Sequence, residues 1–230
     1  MFRPILHSLE PVTLVGGGQA TPEDLHKALT LAPLCVAADG GAELAVRAGV
    51  DVTALIGDFD SVSADTLAKI PAARQHRIIE QESTDFEKAL TRIDAPLVIG
   101  VGFLGARLDH QLAALHVLAT VPERPCILLG EEEIACLAPP FLNLPTQEGD
   151  TVSLFPFADV QGRSAGLQWA IEGLGLGPTT KIGTSNRAAG PLTLEMEKVG
   201  MLLILPRRLM PALVEALMSP AAARWPAPAR

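Results

Sequence analysis

Thr53-Ala54-Leu55-Ile56-Gly57-Asp58-Phe59-Asp60-Ser61 is an apolar, β-forming run that breaks abruptly into a glycine and two carboxylates. A buried strand followed at once by a polar cluster is the signature of a parallel sheet whose strand ends carry function. The same alternation repeats on both sides of this stretch. Upstream, Pro11 to Val15 runs into Gly16-Gly17-Gly18, and Leu34 to Ala38 ends at Asp39-Gly40-Gly41. Downstream, His76 to Ile79 leads to Glu80 to Asp85, Pro96 to Val101 leads to Gly102 to Asp109, and Pro125 to Leu129 forms a sixth strand.

Helical stretches fill the intervals. Thr21-Pro22-Glu23-Asp24 reads as an N-cap, a proline at the first helical position and acids in the first turn. Further helices are predicted over 42–48, 63–70, 84–93 and 108–121, the last stopped by Pro122. Strands alternating with helices give a mostly parallel sheet flanked by helices. Five polar clusters then fall where such sheets bind ligands, at the carboxyl ends of their strands. Pro139-Pro140 and Pro145 mark a boundary, so residues 1–140 form an α/β domain and 141–230 a second one. Strand-like runs over 151–157, 167–171, 192–197 and 201–205 make this a smaller all-β sandwich. A terminal helix is expected over 209–218, followed by a frayed Ala/Pro-rich tail.

The chain has 230 residues, 48% hydrophobic and 19% charged, which is a globular balance. Its formal charge of -8 disfavours nucleic acid and anionic membranes as partners. The three cysteines, Cys35, Cys126 and Cys136, lack disulfide, zinc or redox spacing and read as reduced core thiols. Residues 1–10 lack a signal-peptide core, and no apolar run approaches the roughly 20 residues of a membrane span. A cytoplasmic location is expected.

Asp58 and Asp60 are two residues apart, and in an extended chain such side chains share a face. Paired carboxylates beside phosphates usually hold magnesium; the same five residues also have ordinary turn composition. Asp39 before Gly40-Gly41 is read as a phosphate contact or a turn. Asp85 either caps the helix opened by Ser83-Thr84 or adds a third carboxylate, and Lys88, one turn on, reaches the same pocket or solvent. Arg107 and the amides of its glycine-rich loop suit phosphate, with Asp109 and His110 on the next helical turn. Neither a P-loop nor a Gly-x-Gly-x-x-Gly fingerprint is present.

In order, Ala38-Asp39-Gly40-Gly41-Ala42, Gly57 to Ser61, Thr84-Asp85-Phe86-Glu87-Lys88-Ala89-Leu90, Gly105 to His110 and Ser185-Asn186 resemble the thiamine pyrophosphokinase family. The resemblance implies an α/β catalytic domain, a C-terminal β-sandwich, and a homodimer with its sites at the interface. It implies that ATP and thiamine give AMP and thiamine diphosphate. Asp58, Asp60 and Asp85 would ligate Mg2+ or position the thiamine hydroxyl. Asp39, Gly40, Gly41, Ser61, Thr84, Lys88 and Arg107 would hold the nucleotide, and Asp109, His110, Ser185 and Asn186 the thiamine. Two departures stand out. Glu80-Gln81-Glu82 replaces the family's usual Asp-Lys-Asp, and the last strands lack the aromatic residue on which the pyrimidine often stacks. Trp169 is the nearest aromatic candidate, and the alternative for it is a core position. A pyrophosphokinase for another hydroxymethyl heterocycle, such as a pterin, and a metal-dependent phosphatase are the competing readings.

Overall fold

The computed structural model describes residues 3–80 and 82–228. Gln81 of the departing acidic stretch, and the extreme residues of both termini, lie outside the described set. Two compact units form. One takes residues up to Val117 with Cys126–Glu131, and the other takes Leu118–Pro125 with Glu132 onward.

The first unit runs β1 (Leu6–His7), β2 (Val12–Val15), α1 (Pro22–Leu29), β3 (Leu34–Ala38), α2 (Gly41–Arg47), β4 (Ala54–Gly57), α3 (Ala64–Lys69), β5 (Gln75–Arg77), α4 (Asp85–Leu90), β6 (Ile93–Asp94), β7 (Val98–Val101), α5 (Leu108–Thr120) and β8 (Cys126–Leu129). Its main sheet has the order β8-β7-β2-β3-β4-β5, and every neighbouring pair is parallel. Every residue of β2, β4, β7 and β8 is buried. This continuous apolar character is what a sheet covered on both faces requires. The chain steps outward from β2 through β5 and then returns to β7 on the other side of β2. The order therefore reverses between β2 and β7, and a crevice opens there at the strand ends.

Glycines line that crevice because the backbones meet. The Gly18 amide donates to the Gly102 carbonyl at 2.9 Å. Gly102 has φ 79, and a Cβ on it would sit 2.6 Å from the Gly16 oxygen. Local signals at the helix starts are realised. Thr21 and Asp24 form a reciprocal capping box on α1, and Thr84 caps α4 by accepting from the Glu87 amide. The fourth helix is shorter than the expected 84–93. Thr91 ends it, and Ile93 instead enters a short parallel pair with β1 at zero exposure.

The second unit contains β9 (Glu133–Leu137), β10 (Phe141–Leu144), β11 (Thr151–Pro156), β12 (Gly162–Leu167), β13 (Gly183–Met196), β14 (Met201–Pro206) and α6 (Met210–Met218). Its strands are antiparallel in the order β10-β13-β11-β14-β9, with β12 also on β13. The expected strand over 167–171 is displaced: β12 precedes it, and Gln168 onward turns. The run over 192–197 is only the second half of the 14-residue β13. The tail is not wholly frayed, since the Trp225 indole N–H donates to the Ala138 carbonyl at 2.8 Å. Among the described residues no helix is long and apolar enough to cross a membrane.

Candidate active site

β3 runs directly into Asp39, a residue that is 3% exposed and whose φ is 42. Asp is one of the few residues that tolerates this left-handed region. The turn aims its carboxylate sideways at the end of β4. Oδ1 accepts from the Phe59 amide at 2.8 Å, and Oδ2 accepts from the Ser61 amide at 3.2 Å. Between them the chain turns at Phe59, φ 69. Asp58 and Asp60 therefore do not share a face through an extended strand, as the i, i+2 argument supposed. They are brought together by a tight turn in which Asp58 Oδ1 accepts from the Asp60 amide at 3.2 Å. Phe59 packs against the core.

The result is convergence of negative charge. Asp39, Asp58 and Asp60 each offer a carboxylate oxygen, all within 4.8 Å of one another. Asp85 approaches from the first turn of α4, and Lys88 links it to the pair. The lysine side chain is 3% exposed, with Nζ 3.2 Å from Asp85 Oδ1 and 3.6 Å from Asp58 Oδ2. Burial pulls the Lys88 pKa down, but Asp85, Asp58 and Glu80 together outweigh it and hold the ammonium above its ordinary range. Burial, and then the charge of Asp85, push Asp39 up, against the opposing hydrogen bonds from Phe59, Gly40 and Ser61. Glu80 is held low by the Ser83 hydroxyl.

Beside this cluster lies a cleft of ≈ 630 Å³, walled by Gly16 to Gly18, Asp39, Gly40, Ser61, Thr84, Asp85, Gly102, Phe103, Arg107 and His110. Phe103 packs against Phe86 with ring centroids 4.5 Å apart and planes tilted by 49°, and a Cβ at Gly16 would strike its ring at 2.5 Å. Gly41, directly after Asp39-Gly40, has no room for a side chain, since a Cβ would lie 2.0 Å from the Val15 oxygen. Arg107 and Asp109 are joined to each other: Nη2 donates to Oδ2 at 2.6 Å, on an exposed face.

Two contributors were missed in the sequence. Glu43 lines the cleft and accepts from the Ser63 amide and the Thr66 hydroxyl, both at 2.8 Å, and so fixes α3 beside the carboxylate loop. In sequence it is only an acid in a helix's first turn. Phe103 was signalled by its place between Gly102 and Gly105, where an aromatic residue needs a reason.

Ser185 and Asn186 lie in the second unit. Ser185 has φ 60, and its amide donates to Ser153 Oγ at 3.0 Å, where β11 and β13 slip register. Asn186 is buried and braces the Trp169 turn. Its Oδ1 accepts from the amides of Trp169 and Arg187, and its Nδ2 donates to the Trp169 carbonyl at 2.7 Å. Trp169 itself is 56% exposed, so it is not a core residue. Replacing Asn186 with Ala removes the side-chain partner of three part-buried backbone groups, the amides of Trp169 and Arg187 and the Trp169 carbonyl. The expected loss is about 1–3 kcal/mol in thermal unfolding, with a red shift of the tryptophan emission as the turn loosens.

Residues 25–128 match the family model described as Thiamin pyrophosphokinase, catalytic domain. Through this segment the chain is similar to the thiamin pyrophosphokinase family. The matched thiamin pyrophosphokinase segment contains Asp39, Asp58, Asp60, Asp85, Lys88, Arg107, Asp109 and His110. Thiamine pyrophosphokinase 1 of Arabidopsis thaliana is 25% identical over 189 residues, covering 67% of this chain and 71% of that protein. Among solved structures, thiamin pyrophosphokinase from Geobacillus thermodenitrificans superposes with TM-score 0.71 at 21% identity, covering 85% of this chain and 96% of its own. That from Candida albicans gives 0.71 at 15% identity, with coverage of 90% and 95%. At these identities the structural likeness is one of thiamin pyrophosphokinase fold.

Proposed function

We propose that this chain transfers the pyrophosphoryl group of ATP to the hydroxyl of thiamine, giving thiamine diphosphate and AMP. The observation that carries the reading is the meeting of three carboxylates within 4.8 Å beside a glycine-walled cleft. Clustered, partly solvated carboxylate oxygens are the donor set a hard divalent cation requires. Asp58 and Asp60 would hold Mg2+, with Asp39 and Asp85 adjoining. The ion would neutralise charge on the phosphate oxygens.

The chain's own residues do the rest. The amides of Gly16 to Gly18 and Gly40-Gly41 admit phosphates close to the backbone. Ser61 and Thr84 border the cleft, and Lys88 brings a fixed positive charge to its acidic side. Arg107 exchanges Asp109 for phosphate when the nucleotide binds, which frees Asp109, with His110, to face the acceptor. The thiamine oxygen forms a bond to the β-phosphorus while the bridge to the α-phosphate breaks, and the hydroxyl proton leaves to a neighbouring carboxylate. Holding these groups in line accounts for most of the catalysis. Four carboxylates also suit a cationic thiazolium. Ser185 and Asn186 of a second copy would complete the acceptor side in a cytoplasmic homodimer.

Purified protein incubated with ATP, Mg2+ and thiamine is expected to release AMP in proportion to thiamine. AMP released with a hydroxymethylpterin but not with thiamine, or phosphate released with no acceptor, would overturn the assignment.

A further inference from the structure

Resting on the metal reading above, we propose that Asp39 is a positioning residue, which folds the Asp58–Asp60 loop into its converged turn before any metal arrives. The loop does not hold this shape by local preference. Phe59 sits at φ 69, a region that non-glycine residues rarely occupy. What compensates comes from 20 residues earlier in the chain. Both Asp39 oxygens are taken by loop amides, Phe59 on one and Ser61 on the other. The Asp39 amide in turn donates to the Ile56 carbonyl at 3.0 Å, so the template is fixed to the strand that carries the loop.

Gly57 shows how close this approach is. A Cβ there would lie 2.9 Å from Asp39 Cβ and 3.0 Å from its Oδ1. Gly57 has no left-handed φ that would demand glycine, so contact with Asp39 is the reason for its small size. The clamp uses only protein donors and acceptors, and it is complete without an ion. A carboxylate is needed because each oxygen must accept. Asn would present one acceptor and turn its NH2 toward the other amide.

Asp39 also lies within the 4.8 Å group, so direct ligation is the competing role, and the test must separate the two. Amide exchange at Phe59 and Ser61 is followed in metal-stripped protein, and Mg2+ or Mn2+ alone is titrated calorimetrically. In Asp39→Asn, both amides exchange faster without metal, and metal affinity falls by about 10–100-fold, as for other groups that orient ligands. Gly57→Ala retains every carboxylate yet displaces Asp39. It loosens the same two amides, weakens metal binding, and needs more Mg2+ to reach an unchanged kcat plateau. Asp58→Asn loses metal binding but keeps both amides protected.

Wild-type protection of the two amides in metal-free Asp39→Asn would overturn the proposal and leave direct ligation. So would normal metal affinity in Gly57→Ala. That second variant carries the test if Asp39→Asn does not fold. The exchange comparison needs neither metal nor substrate, so a wild-type protein that released no AMP would strike the proposed function and leave this result readable.

Discussion

Asp58→Asn and Asp60→Asn each eliminate thiamine-dependent AMP release, to below about a thousandth of wild type, while the protein stays folded. Asn matches Asp in shape, and its carbonyl oxygen can still accept from the Asp60 amide, so the turn survives in Asp58→Asn. What disappears is one negative charge from a site that would bind a divalent cation. Metal-centred charge stabilisation is worth several kcal/mol, and a thousandfold in rate corresponds to roughly 4 kcal/mol. Stability is expected to respond differently. Asp39, Asp58, Asp60 and Asp85 repel one another in the metal-free protein, so deleting the Asp60 charge leaves Tm unchanged or slightly raised, whereas in Asp58→Asn the lost ion pair with buried Lys88 offsets that relief and lowers Tm modestly. Both variants should also lose the rise in Tm that Mg2+ gives the wild type. Near-normal turnover in both variants would refute the metal role. Lost turnover together with a collapsed Tm would assign the pair to folding instead.

The first unit was legible because its information is local. Its central strands are short apolar runs, the starts of α1, α3 and α4 carry side-chain caps, and five strand ends carry polar clusters, so β2, β3, β4, β7 and β8 fall within a residue or two of where periodicity puts them. The site residues were named for the same reason. Their geometry was not legible, because it is set at long range. The turn at Phe59 depends on Asp39, 20 residues away, and the alternation rule fails once one φ is positive. Lys88 offered a choice between solvent and pocket. That choice was decided by the approach of α4 to the end of β4, which no local pattern encodes. Arg107 and Asp109 read as separate ligand contacts because nothing in the sequence announces that they pair.

The second unit was harder to read because its strands are stabilised mainly by their neighbours. The first part of β13, Gly183 to Arg187, is polar and looks like a loop, yet it pairs with β11. β10 alternates exposed and buried residues over only four positions, next to prolines that suggested a linker. Trp169 was weighed as a core tryptophan by residue type alone. Its turn is instead held from beneath by Asn186, which leaves the ring on the surface.

Lys88→Met should lower the stability of the metal-free protein and enlarge the stabilisation that Mg2+ supplies. Methionine replaces the stem of the lysine but not its charge, which leaves Asp58 and Asp85 without the ammonium at 3.6 and 3.2 Å. Breaking a fully buried pair costs about 3–5 kcal/mol. Here the Asp85 side chain is 40% exposed and partly screened by solvent, so roughly 1–3 kcal/mol is expected, a shift of several degrees in Tm. The pH dependence follows from the sign of the shift. The carboxylates raise the folded-state pKa of Lys88 above its unfolded value. The stabilisation is therefore complete below about pH 10.4, the ordinary value, and is lost only as pH rises through the folded one. The Tm gap between wild type and variant should stay constant from neutrality to pH 9 and close in stronger alkali. A gap that closes near neutrality would mean that Lys88 is not the charge being lost. With the fixed cation gone, a divalent ion meets less repulsion and more uncompensated negative charge, so its affinity rises and its increment in Tm exceeds that of wild type. Turnover nevertheless falls, because the ammonium no longer reaches phosphate, and added Mg2+ does not restore it. Lys88→Arg should not rescue turnover, since a planar guanidinium cannot occupy a pocket shaped for a compact ammonium. Equal Tm values and equal Mg2+ increments in wild type and Lys88→Met would show that this buried cation neither balances the carboxylates nor competes with the metal.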